Sequence, residues 1–195
     1  AQTSARRALE MADADASRQA GEHHAVYARC DLCEIAYIRK DWDALRDESG
    51  VGEELARRCE NARKLAEFLA WRAVLARRDG DEDAARRLVR QAASRLVTTR
   101  ALPSSAFYDA MCAYQEQGAD LAAALKTRTR QLEALAGKGR LVHECRARVE
   151  RCRLLARMGL PLADDLAAAR TAADKLRDPA PYRDELARIA AGDTA

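Results

Sequence analysis

Apolar and polar residues follow a helical period along almost the whole chain. Residues three, four and seven apart share one face of a helix, and stripes at that spacing recur from one end to the other. Ala5, Ala8, Leu9, Ala12, Ala16 and Ala20 predict a helix over 4–20, ended by Gly21. A second helix is expected from about Glu22 to Arg39. Ala25, Val26, Cys30, Leu32, Cys33, Ala36 and Tyr37 make it apolar over more than half its circumference, as in a helix packed on two sides.

Asp41 follows the turn at Arg39-Lys40 and can cap the next helix at Ala44. That helix carries Trp42, Leu45, Leu55, Ala56 and Cys59, but Ser49-Gly50-Val51-Gly52 interrupts it. Each glycine costs a helix about 1 kcal/mol relative to alanine, so a bend or local break is expected there. The alternative is a loop at 49–52 and one long helix running on to Arg78.

Leu65, Ala66, Leu69, Ala73 and Ala76 mark a helix from Ala62 to Arg78. Asp79-Gly80-Asp81 then stops one helix and starts the next, whose stripe is Ala85, Leu88, Val89, Ala92 and Leu96. Leu102-Pro103-Ser104-Ser105 opens a helix with Phe107, Ala110, Met111 and Tyr114. Gly118 is the turn before Leu121, Leu125 and Leu132. Gly137-Lys138-Gly139 connects to Leu141, Cys145, Val149, Cys152 and Leu155. Beyond Gly159, Pro161 suits a first helical turn, and Leu162, Leu166, Ala169, Ala173 and Leu176 follow. A short last helix over 181–191, with Tyr182, Leu186, Ile189 and Ala190, suits a cap on an exposed end.

The connectors set a rhythm. Lys40, Gly80, Gly118 and Gly159 form one class, and Gly21, Asn61, Pro103, Gly137 and Pro179 the other, with about 40 residues between members of a class. This predicts an all-α chain, an α-α superhelix of four to five antiparallel hairpins. The expectation is one domain over 1–195, with hairpins at about 22–60, 62–97, 104–136 and 140–177, a half-repeat at 4–20 and the capping helix. One hairpin cannot bury its own stripe, but stacked neighbours can.

Composition agrees. Charged residues are 33% and aromatics only 5%, a mix suited to helices and poor for strands. The net charge of +3 is too mild to imply nucleic acid, and few aromatics are interleaved for base stacking. Acidic residues concentrate between Asp31 and Glu60 and basic ones between Lys126 and Arg157, a pattern read as solvated helix faces of the kind a GC-rich bacterial coding sequence produces. No apolar run approaches a membrane span, and no signal peptide is visible. The six cysteines form no regular framework and are expected as reduced thiols in the cytoplasm. The chain starts Ala-Gln-Thr, as a processed or excised piece would.

Candidate chemistry is sparse. Cys30-x2-Cys33 with His23 shares one sector of a helix, but zinc needs a fourth ligand and structural sites usually bring two separated pairs. Cys33 and Cys152 fall at the rhythmic position held by Ala73 and Met111, where a small buried side chain fits. A redox role for this pair would want a preceding strand, and none is predicted. His143 and Cys145 point to opposite sides of their helix. Glu53-Glu54 and Asp164-Asp165 lie near helix starts, where they complement the dipole. No phosphate loop or nucleophile elbow appears, so no catalytic residue, cofactor or metal is assigned, and the chain is read as a non-enzyme.

The order Phe107, Ala110, Met111, Tyr114, Gly118, Ala123 resembles the tetratricopeptide repeat family in a long-helix form, and Leu69, Ala73, Ala76, Gly80, Ala85, Val89, Ala92 follows it too. The family's closing proline is missing from both units. The resemblance implies a right-handed superhelix whose first-helix faces line a concave groove for a peptide or protein segment. By register its lining would be Tyr27, Glu34, Ala70, Val74, Arg77, Arg78, Tyr108, Cys112, Gln115, Val149, Arg153 and Arg157. The carboxylate clamp of some members is not inherited, because Tyr108, Cys112, Ala70 and Val74 stand at its positions. The expected partner is another protein or a peptide, with no membrane and no nucleic acid. The alternative function is a sensor module that binds a small ligand or signal peptide for an attached domain.

Overall fold

The computed structural model describes residues 18–193. Nine helices, and no strand, occur among them. In chain order they are α1 (Arg18–Ile38), α2 (Trp42–Arg58), α3 (Ala62–Arg78), α4 (Glu82–Thr99), α5 (Ser105–Gln117), α6 (Leu121–Leu135), α7 (Leu141–Arg157), α8 (Ala163–Ala173) and α9 (Ala180–Ala190). The fold is all-α. The helix expected over 4–20 lies outside the described residues except for its last turn.

Short polar connectors do most of the local work. Asp41, Asn61 and Asp81 each accept a hydrogen bond on the side chain from the backbone N–H three residues on, at 3.1, 3.1 and 2.9 Å. The backbone N–H of each also donates to a carbonyl of the helix before it: Ala36, Ala56 and Ala76, each at 2.9 Å. One residue thus closes one helix and opens the next, which is why three residues suffice between α1, α2, α3 and α4. The closure needs a left-handed residue just before the cap. Left-handed residues occur at Lys40, Glu60, Gly80, Arg100, Ala119, Gly139 and Gly159, at steps of 19 or 20, with Gly137 and Gly192 outside the series.

Glycine behaves differently from the sequence reading at two places. α1 runs through Gly21 without a turn. α2 runs through Ser49–Gly52 without a break. Gly118 does end α5 in a turn as expected, at φ −83°, with the left-handed conformation taken by its neighbour Ala119. The helix-breaking tendency of glycine is a weak prior, and packing overrides it. Pro161 also precedes α8 rather than lying in its first turn.

The chain divides into two compact units after Gly118, each with its own hydrophobic core. Within each, contacts run between consecutive helices and between next-but-one helices, as in a superhelical stack. In the first unit α3 is the hub, touching α1, α2, α4 and α5. Nearly every residue from Lys64 to Leu75 is buried, and Trp71, Phe68, Leu69 and Val74 fill the centre. In the second unit α7 touches α6, α8 and α9. Its core cluster is mostly small: Cys145, Val149, Cys152, Ala169, Ala172 and Ala173, with Leu186 and Ile189 contributed by α9, and Leu135, Leu154 and Leu155 are buried besides.

Candidate functional site

A trough of about 960 Å3 lies between α2 and α4 in the first unit, floored by α3. Helical spacing builds each side. Asp47, Gly50, Val51 and Glu54 lie on one face of α2, and Ala84, Arg87 and Leu88 on one face of α4. Arg72, Leu75 and Ala76 are the matching stripe of α3, continued by Asp79 at its C-terminal cap.

Two glycines in α2, two residues apart, face opposite ways. A Cβ on Gly52 would meet the Phe68 ring at 2.2 Å, whereas one on Gly50 would meet nothing within 4 Å. Gly52 therefore admits the Phe68 ring of the core below α2, and Gly50 leaves the trough wall open.

Ion pairs fix the trough's rim. Arg46 donates to Asp79 at 2.7 Å. Glu53, buried in α2, accepts from Arg57 at 2.5 Å and from Arg72. Burial alone would raise the Glu53 carboxyl, but the two guanidiniums outweigh it and hold it below its ordinary range. Glu53-Glu54 thus sits late in α2 rather than at a helix start, with one carboxylate paired inside and the other on the trough.

None of the residues assigned to the concave groove lines this trough. Ala70, Val74 and Cys112 are fully buried and Val149 nearly so, so they present no surface. Arg77 is committed to packing. It donates to the Tyr114 carbonyl at 2.7 Å and the Tyr114 hydroxyl at 2.8 Å, lies 3.6 Å above that ring, and pairs with Glu82. A Cβ on Gly118 would come within 2.3 Å of the Arg77 guanidinium, so this glycine makes room for an arginine. Arg78 stacks over Trp42 at 4.6 Å. Tyr27 is exposed, with the Lys64 ammonium 4.7 Å from its ring centre. Glu34, Tyr108 and Gln115 are half-buried. In the second unit, Arg153 ties α9 to α7 through Glu185 and also bonds Glu150 at 2.5 Å, while Arg157 is exposed.

The thiols are poorly placed for chemistry. Cys30 and Cys33 are buried while His23 is exposed, so the three do not face one ion. Among the described residues no group of three or more His, Cys, Asp and Glu is arranged to hold a metal. Burial pushes both thiols well above their ordinary value, with Glu67 adding to the effect at Cys30 and Glu48 at Cys33. Burial also raises Cys145 and Cys152 to about 11. A thiolate is the nucleophile and the ligand, and these sites disfavour it.

No family model, curated protein or solved structure matches the chain. Among the described residues no helix is long and apolar enough to cross a membrane.

The trough itself escaped the sequence reading because the register was borrowed from first-helix faces. The signal available was Gly50, a helical glycine flanked by Asp47 and Glu54 at helical spacing.

Proposed function

We propose that this chain is a protein-binding module built as a tetratricopeptide-like helical repeat, and that it receives a segment of another protein in the α2–α3–α4 trough. The observation that carries the reading is the trough: about 960 Å3, open, floored by Leu75 and Ala76, and left unfilled at Gly50. The left-handed closures at steps of 19 or 20 residues favour the repeat reading. Six cysteines that form no disulfide, five of them buried, fit a reducing compartment such as the cytoplasm.

A sensor that takes a small ligand is the competing reading. Small-molecule sites usually enclose most of their ligand, and an open channel between two helices suits a stretch of chain better.

The test is selection of short random peptides on the full chain, followed by binding to the Gly50→Trp variant. Selected peptides should lose binding when the trough is filled. Peptides that bind Gly50→Trp as well as the parent, while losing affinity on Tyr108→Ala, would move the site to the first-helix face.

A further inference from the structure

The charges of the trough are not balanced, and the imbalance has a direction. Asp47, Glu53, Glu54, Asp79 and Asp81 face Arg46, Arg72 and Arg87, five carboxylates against three guanidiniums. Arg46 is taken by Asp79 and Arg72 by Glu53. Asp81 is occupied in capping α4. Asp47 and Glu54 make no ion pair among the described residues, and Arg87 likewise has none. Both free carboxylates stand on the α2 wall. They are seven residues apart, two turns of helix, which is roughly 10 Å along the axis. Between them lie the gap at Gly50 and the exposed side chain of Val51, 42% accessible. Across the trough are Leu88 and Arg87.

Resting on the reading of the trough as the binding face, we infer that its occupant is a cationic, partly apolar protein segment. Two Lys or Arg side chains about 10 Å apart meet Asp47 and Glu54. An apolar side chain between them fills the space over Gly50, against Val51 and Leu88. Arg87 takes a backbone carbonyl or a carboxylate on the far side of the segment. A polyanion is excluded as occupant by the two unpaired carboxylates, since like charges at close range repel strongly where water is displaced.

The experiment continues the peptide selection. Peptides that the full chain binds and Gly50→Trp does not are sequenced, and the tightest is titrated by fluorescence anisotropy against Asp47→Asn/Glu54→Gln at low and high salt. The expected result is enrichment in Lys and Arg around an apolar residue. The double variant should weaken binding roughly tenfold, the size expected for two partly exposed ion pairs, and salt should weaken the parent more than the variant. Asp47 and Glu54 are surface residues, so this variant keeps its fold, which circular dichroism checks. If trough-dependent peptides are neutral or acidic, or bind the double variant unchanged, the cationic assignment is overturned and the trough reading stands. If no selected peptide depends on Gly50, both fall.

Discussion

In the first unit the core around α3 holds Trp71, Phe68, Leu45 and Leu69, all essentially inaccessible. In the second, α7 buries Leu154 and Leu155 beside the small Cys145 and Cys152, α8 presents Ala169, Ala172 and Ala173, and Leu186 and Ile189 arrive from the last helix. Small residues bring helix backbones together without needing any vacancy opposite. Large rings need one, and Gly52 under Phe68 is the vacancy. The first unit therefore depends on matched large and small partners, and the second on nothing exceeding its allotted size.

Substitutions should separate the two. Phe68→Ala or Trp71→Ala should cost about 3–5 kcal/mol, whereas Cys152→Ala should cost far less, because it removes one sulfur. The second unit should react to enlargement instead: Ala173→Leu should cost about 1–3 kcal/mol. Hydrogen exchange resolved by residue reads each unit separately, and equal costs for Phe68→Ala and Cys152→Ala would erase the contrast.

The Gly52–Phe68 fit gives the next largest effect. Gly52→Ala should destabilise by about 1–3 kcal/mol through overpacking, less about 1 kcal/mol of helix propensity. Gly50→Ala should stabilise by up to about 1 kcal/mol, since only propensity changes. Denaturant unfolding of the two variants decides this by sign.

Arg77 and Gly118 form a similar pair. Gly118→Ala should destabilise in the parent and become nearly neutral in an Arg77→Met background, while Arg77→Met alone should cost about 1–3 kcal/mol for the unmatched Tyr114 groups. Additive effects in a double-mutant cycle would show that the glycine does not serve the arginine.

The smallest effects concern connectors and acid. Lys40→Gly and Glu60→Gly should each stabilise by up to about 1 kcal/mol, because both residues sit left-handed at φ 57° and 52°. Gly80→Ala should cost about as much. Glu53 carries a lowered carboxyl, so its contribution is complete above the ordinary value of 4.5 and is lost as pH falls through the lower folded value. Stability measured downward from pH 5 should fall less steeply in Glu53→Gln.

Much of the fold was legible in the sequence. The stripes located α3 and α4 closely, and Asp41 and Asp81 signalled their capping because short polar side chains and helix starts are a local matter, while Asn61, read only as a connector, caps in the same way. What was not legible was tertiary. Gly21, Gly50 and Gly52 read as breaks or turns but lie inside helices, since a sequence shows glycine's backbone freedom and hides what lies against its missing side chain. The trough went unread for the same reason. A borrowed register pointed to Val74 and Cys112, which packing buries, and away from α2, where the opening is.

The most direct test is a residue-by-residue nuclear magnetic resonance titration of the full chain with a selected cationic peptide. Amide shifts should concentrate at 47–54 of α2 and 84–88 of α4, and should vanish in Gly50→Trp. Shifts centred instead on Tyr27, Tyr108 and Gln115, with 47–54 silent, would contradict the assignment of the trough as the binding face.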